Sequence, residues 1–148
     1  MPCSGSNAPR QTGQPISIRL SRATEQLVTA EARRTRRSRS AVVQAFTEET
    51  ARTRRFPGLG LRGDDAARRA WVIGSGLDVW EIVQMLTDFG SIEALLRETR
   101  LTERQVRLAL AYRESFPDEI DEAIAANQRP LDELAALYPL VDLGAVRR

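Results

Sequence analysis

Two short clusters of polar side chains have the types and spacing for recognition chemistry. Ser17 and Arg19 lie two residues apart in Pro15-Ile16-Ser17-Ile18-Arg19-Leu20, where apolar and polar residues alternate. In an extended strand, Ile16, Ile18 and Leu20 share one face while Ser17 and Arg19 share the other. On an outward face an arginine fork and a serine hydroxyl are free to hydrogen-bond to a partner. The second cluster, Ser38-Arg39-Ser40, opens an amphipathic segment. There the unpaired amides and the positive end of a helix dipole suit a phosphate. The plain alternative is that Ser17 and Arg19 are only the wet face of a surface strand.

The elements that must position these groups are one strand and two helices. Ser21 stands where an N-cap belongs, and the first helix carries an apolar stripe through Ala23, Leu27 and Val28. A break at Thr35-Arg36-Arg37 precedes Ser38, the second N-cap candidate, and the second helix has Val42, Ala45, Phe46 and Thr50 on one side. A single strand leaves its ladder groups unpaired unless a second one joins it. Pairing with the same strand of a second chain makes a two-stranded ribbon, a shape that fits the major groove.

This segment resembles the ribbon-helix-helix family of the CopG/Arc/MetJ type. The resemblance rests on Ile16-Ser17-Ile18-Arg19-Leu20-Ser21 and on Arg37-Ser38-Arg39-Ser40-Ala41-Val42-Val43. It implies a dimeric β-α-α fold with Ser17 and Arg19 as base readers. It also implies that Ser38, Arg39 and Ser40 hold a phosphate. Pro15, at the outermost ribbon position, is a departure because it offers no side-chain hydrogen bond.

Charge is distributed in the same sense. Residues 1–55 hold 11 Arg and 4 Glu, 11 − 4 = +7, whereas residues 56–148 hold 11 Arg and 16 acids, 11 − 16 = −5. The two sum to the +2 of the whole chain. A basic front suits a polyanion and an acidic back does not. All 22 basic residues are arginine. Acidic surface helices share that bias, so by itself it does not select nucleic acid.

The remaining chain reads as a second module. Arg55-Phe56-Pro57-Gly58-Leu59-Gly60-Leu61-Arg62-Gly63 breaks helical periodicity and is expected to be a connector. Trp71-Val72-Ile73 and Leu77-Asp78-Val79 flank Gly74-Ser75-Gly76 as in a short hairpin. Asp78 with Glu81 forms a capping box for a helix that buries Val79, Ile82, Val83, Leu86 and Phe89 and stops at Gly90. Ser91 caps a helix with Ile92, Leu95 and Leu96 inward. Thr102 with Gln105 caps another that buries Val106, Ala109 and Leu110. Helices joined by so short a turn form a helix-turn-helix-like pair. Pro117 starts an acidic helix with Ile120 and Ile124 inward, and a last short helix is expected from Pro130 with Leu131, Leu134 and Leu137. Trp71 and Trp80 are expected to be core.

Residues 70–114 resemble the bacterial "domain of unknown function 433" family, whose short members are regarded as antitoxins of the VapB kind. The resemblance rests on Val72-Ile73-Gly74-Ser75-Gly76-Leu77-Asp78-Val79-Trp80-Glu81-Ile82 and on Leu101 to Tyr112. The Gly-Thr-Arg-type turn common in that family is Gly74-Ser75-Gly76 here, without arginine, so no contact of such an arginine carries over. Arg104, Arg107 and Ala111 share an exposed face of the second helix of the pair. That face is a candidate second DNA contact, or a solvated surface among Glu93, Glu98, Glu103 and Glu114.

Enzyme chemistry is not expected. There is no His, and the single Cys, Cys3, excludes a thiolate cluster. Gly74-Ser75-Gly76 lacks the residues of a phosphate loop or a nucleophile elbow.

Together these observations predict a mostly α protein. It has an arm over 1–13, a dimeric ribbon-helix-helix domain over 14–55 and a linker over 56–69. A small hairpin with a helix-turn-helix-like module over 70–128 follows, then a short helix and tail over 129–148. The expected function is sequence-specific DNA binding by a homodimeric repressor acting as the antitoxin of a toxin–antitoxin pair. The alternatives are a stand-alone regulator and a dimerising adaptor that does not bind DNA. Leu137, Tyr138 and Leu140 are candidates for toxin docking. No cofactor, metal or membrane partner is expected. With no apolar run of membrane-spanning length and no signal core, the location expected is cytoplasmic, at the nucleoid.

Overall fold

The computed structural model describes residues 13–64 and 67–128. It is mostly helical, with one two-stranded antiparallel sheet among the described residues. These residues divide into two compact units, one up to Val43 and one from Gln44. No helix among the described residues is long and apolar enough to cross a membrane.

The first unit is built from local capping signals. The Ser21 hydroxyl accepts the Thr24 N–H at 3.2 Å and starts α1, Arg22–Thr35. Ser38 starts α2, Arg39–Arg55, by accepting the Ala41 N–H at 3.1 Å on its side chain. Of the apolar residues in this unit, only Val28 on α1 and Val42 on α2 are buried, each 1% exposed. Leu27, expected on the buried stripe, is 68% exposed. Residues 13–20 form no strand within the single chain. Ile16 and Ile18 are 85% and 57% exposed there, so neither face of that segment is covered.

The second unit has the larger core, and its first strand lies where the sequence reading placed a connector. β1, Leu59–Arg62, pairs antiparallel with β2, Arg69–Val72, in the register Leu59↔Val72, Gly60↔Trp71, Leu61↔Ala70 and Arg62↔Arg69. Phe56, Leu59, Ala70 and Val72 belong to the buried cluster, so 56–62 is core rather than linker. Its glycines mark close approach, not a loose tether. A Cβ at Gly60 would stand 2.6 Å from the Trp71 indole nitrogen, which only glycine accommodates. The tight turn at Gly74-Ser75-Gly76 is present, with the Val72 N–H donating to the Leu77 carbonyl at 3.0 Å. Its second arm is a single bridge, Trp71↔Asp78, because the chain turns at once into the next helix.

Four helices cover that sheet. α3, Val79–Phe89, follows Asp78, whose N–H donates to Glu81 Oε2 at 2.7 Å, and ends at Gly90 in the left-handed conformation. Ser91 caps α4, Ile92–Glu98, and Thr102 with Gln105 caps α5, Glu103–Ser115. Pro117 occupies the first turn of α6, Pro117–Asn127, where its missing N–H costs nothing. Val79, Ile82, Val83, Leu95, Leu101, Val106, Ala109, Tyr112 and Ile120 are buried together. Phe89, expected inside, is 40% exposed. At roughly 100° per residue it lies only about 20° round α3 from buried Ile82, so its exposure goes with its place as the last residue of the helix and not with its face. Trp80 packs against the core, as expected. The helix expected from Pro130 lies outside the described residues.

Two charged knots join distant parts of this unit. Arg62 and Arg69 face each other across the sheet, a repulsive pairing if left alone. The Asp78 carboxylate, only 3% exposed, takes the Arg62 Nε on one oxygen at 2.7 Å and the Arg69 Nε on the other at 2.8 Å. One acid at the start of α3 thus bridges the pair, offsets part of its repulsion and ties the sheet to the helix. The second knot gathers α2, α5 and α6. Arg52 Nη1 donates to Tyr112 Oη at 2.7 Å and to Glu119 Oε2 at 2.6 Å, and Tyr112 donates to Glu119 Oε1 at 3.0 Å. The same guanidinium lies 4.3 Å over the Phe116 ring, and Phe56 meets Tyr112 and Phe116 edge-on. These contacts place the second half of α2 in the C-terminal unit. The unit boundary accordingly falls within α2, not after Arg55 as the sequence reading had it.

Two predictions follow from the packing. Phe56→Ala, in a stretch that reads as linker, should lower the stability of this unit by about 3–5 kcal/mol in urea or thermal unfolding, as for a buried aromatic. The Tyr112 hydroxyl has its pKa pushed up from 10.0 to about 12, by burial first and by the Glu119 carboxylate second. A raised folded-state pKa gives stability that is full below pH 10.0 and declines as the pH rises through about 12. Tyr112→Phe should be less stable at neutral pH yet lose that alkaline decline, read by denaturation midpoints across the interval.

Candidate nucleic-acid interface

The groups singled out in the sequence separate into those left open and those taken up within the chain. Ser17 and Arg19 are both exposed, on a segment whose apolar partners Ile16 and Ile18 are exposed as well. The alternation therefore has no inner face in a single chain.

At the start of α2 the three candidates have different surroundings. Ser38 is occupied as the cap, its Oγ on the Ala41 N–H and its carbonyl on the Val42 N–H at 3.1 Å. Arg39 reaches Glu25 on α1 at 2.7 Å, with both side chains about half exposed. Ser40 is exposed and its hydroxyl has no partner among the described residues. The Arg39 and Ser40 amides are the first two of the helix and have no acceptor among the described residues, as helix geometry requires. An anion seated here would meet these two N–H groups and the Ser40 hydroxyl, with the positive end of the helix behind them.

The corner between α1 and α2 is denser in charge than the sequence reading credited. Arg33, Arg34, Arg36, Arg37 and Arg39 fall within seven residues. Glu31 accepts Arg34 at 2.6 Å and Glu25 accepts Arg39, while Arg37 folds back on the Ala41 carbonyl at 3.4 Å. Arg36 is exposed and ends α1 in the left-handed conformation, φ 53° and ψ 36°. The helix break at Thr35-Arg36-Arg37 held the signal for it. Many helices stop on a left-handed residue, and here, with no glycine at the break, Arg36 takes that conformation.

The candidate second contact on α5 is partly taken up. Arg104, Arg107 and Ala111 are all exposed, but Arg107 binds Glu103 one turn back through Nε at 2.7 Å and Nη2 at 2.6 Å. Arg104 keeps an open guanidinium among the described residues. In the acidic group of α6, Glu119 is held by Arg52 and Tyr112, and Asp121 by Arg113 at 2.9 Å, which leaves Asp118 and Glu122 open. Leu137, Tyr138 and Leu140 lie outside the described residues.

Comparison with known proteins finds no matching family model, no similar curated protein and no similar solved structure.

The division of labour at the start of α2 can be measured without any ligand. Ser38→Ala should remove about 1 kcal/mol of stability through loss of the cap, whereas Ser40→Ala should leave thermal unfolding unchanged within about 0.5 kcal/mol. Equal effects of the two would contradict the capping assignment.

Proposed function

We propose that the protein is a homodimeric, sequence-specific DNA-binding repressor of the ribbon-helix-helix type. In this reading, residues 15–20 of two chains pair as the ribbon that enters the major groove. Ser17 and Arg19 read base edges, and the start of α2 fixes register on a phosphate. The observation that carries the proposal is the incompleteness of the first unit. It buries two apolar side chains and leaves Ile16, Ile18 and Leu27 in water, next to backbone with no ladder partner. So small a core does not hold two helices alone, and a second copy supplies both the strand and the apolar cover. The positive charge of residues 1–55 supports a polyanionic ligand.

The role of antitoxin rests on the resemblance of residues 70–114 and makes the C-terminal part the site of a toxin's docking. Steering of a basic toxin by α6 would fall to Asp118 and Glu122, since Glu119 and Asp121 are already paired. The candidate DNA contact at Arg104 is secondary to the ribbon, because its neighbour Arg107 is neutralised.

The full-length chain tests this. Sedimentation should give a dimer at micromolar concentration, and the first thermal transition should rise with protein concentration. Selection from a random duplex library should return a repeated half-site. Ile16→Ser with Ile18→Ser should yield a monomer that binds no DNA. Arg19→Ala should stay dimeric and lose roughly 1–3 kcal/mol of discrimination at one base position. A monomeric chain with a concentration-independent melt would overturn the ribbon. Unchanged selectivity in Arg19→Ala would remove its reading role. For the antitoxin role, a small toxin encoded next to this chain should co-purify with it and be lost on truncation after Gln128. No loss on truncation would move docking away from the tail.

A further inference from the structure

The outward face of the β1–β2 sheet is basic at one end and apolar at the other. Leu59 and Val72 point into the core, so alternation puts Gly60 and Arg62 of β1, and Arg69 and Trp71 of β2, on the opposite face. Ile73 continues that face, its N–H donating to the Gly58 carbonyl at 2.9 Å, and is 53% exposed. Trp71, expected in the core, lies here across Gly60, with the Arg62 guanidinium 5.0 Å from its ring centre. Arg69 is held through Nε alone, which donates to Asp78 at 2.8 Å. Its two Nη groups have no acceptor among the described residues, and the anchored Nε limits where they point. Two guanidiniums share one carboxylate, so this end of the face keeps one positive charge in excess. The complement of such a surface is a single acid followed by apolar side chains at strand spacing. A polyanion fits less well, because residues 56–148 together carry −5.

The chain contains that complement in Tyr138-Pro139-Leu140-Val141-Asp142, outside the described residues. Pro139 opposes a continuing helix and biases the residue before it toward extended backbone. At a period of two, Tyr138, Leu140 and Asp142 share one face. Run antiparallel to β2, they meet Ile73, Trp71 and Arg69 in order. The start of the segment is also near. Gln128, at the end of α6, donates through Nε2 to Gln84 Oε1 at 2.9 Å. Gln84 stands six residues after Asp78, about 9 Å along α3. Nine residues separate Gln128 from Tyr138, enough chain to span about 30 Å.

We propose that the outward face of β1–β2 is the docking site of the chain's own residues 138–142, with Asp142 on the open end of Arg69, Leu140 on Trp71 and Tyr138 on Ile73. This does not depend on the DNA-binding reading. A toxin that docks on Tyr138 and Leu140 competes with this face for them.

The test uses the full-length chain carrying Cys3→Ser and Val141→Cys, with a nitroxide attached at position 141, on the side of the segment turned away from the sheet. The indole N–H signal of Trp71 is read by magnetic resonance and told from that of Trp80 with Trp80→Phe. Against the same chain with the label reduced, the Trp71 signal should be lost. It should return in Asp142→Asn, in Leu140→Ser and in Arg69→Gln. The first two lie outside the Asp78 knot and carry the test if Arg69→Gln disturbs it. The loss should persist when the labelled chain is diluted into an excess of chain with neither nitroxide nor isotope. A Trp71 signal equal in the oxidised and reduced chains overturns the docking. A loss that Asp142→Asn and Leu140→Ser leave in place overturns the register. A loss that disappears on dilution gives the face to a second copy and overturns docking within the chain.

Discussion

The interaction on which the molecule's organisation depends is the Arg52 guanidinium. It binds Tyr112 and Glu119 and stacks on Phe116, and so commits the second half of α2 to the C-terminal unit. The first half of the same helix carries Val42 and the capped start at Ser38. One continuous helix thus serves two units with opposite solvation. In one unit apolar side chains are largely left in water, and in the other they close a core. Losing the Arg52 knot would leave Glu119 and the Tyr112 hydroxyl without their cationic partner, a cost set by desolvation more than by lost attraction.

The two units differ in how they handle polar groups. The C-terminal unit ties part of its charge into its packing, since Asp78 bridges two facing arginines and Glu119 and Asp121 hold one each. Among its described residues no buried side-chain polar atom lacks a partner. The N-terminal unit pairs Arg34 with Glu31 and Arg39 with Glu25, and keeps Arg19 and Arg36 in water and the first amides of α2 open.

Much of the helical framework was legible in the sequence because capping is local. Ser21, Ser38, Asp78 with Glu81, Ser91 and Thr102 with Gln105 act within three or four residues of themselves. The helices they start fall where they were expected. What was not legible is what pairs at a distance. β1 hides in a glycine-rich stretch because its requirement, an indole pressed on Gly60, is set by Trp71 on the opposite strand. Arg52, Tyr112 and Glu119 lie 60 and 67 residues apart along the chain, and no periodicity announces such a knot. For the candidate site, the spacing of Ser38 to Ser40 located the start of α2. It could not tell that Arg39 is taken up by Glu25, and it passed over Arg36.

A chain that makes every cationic contact with guanidinium, and has neither lysine nor histidine, is insensitive to acidity over a wide interval. Arginine does not release its proton in proteins, and ordinary carboxylates are ionised above about pH 5. None of the side-chain types in this sequence has its ordinary titration between there and the onset of thiol and phenol ionisation. Ionic strength is the remaining solvent variable that can loosen or tighten what this surface attracts.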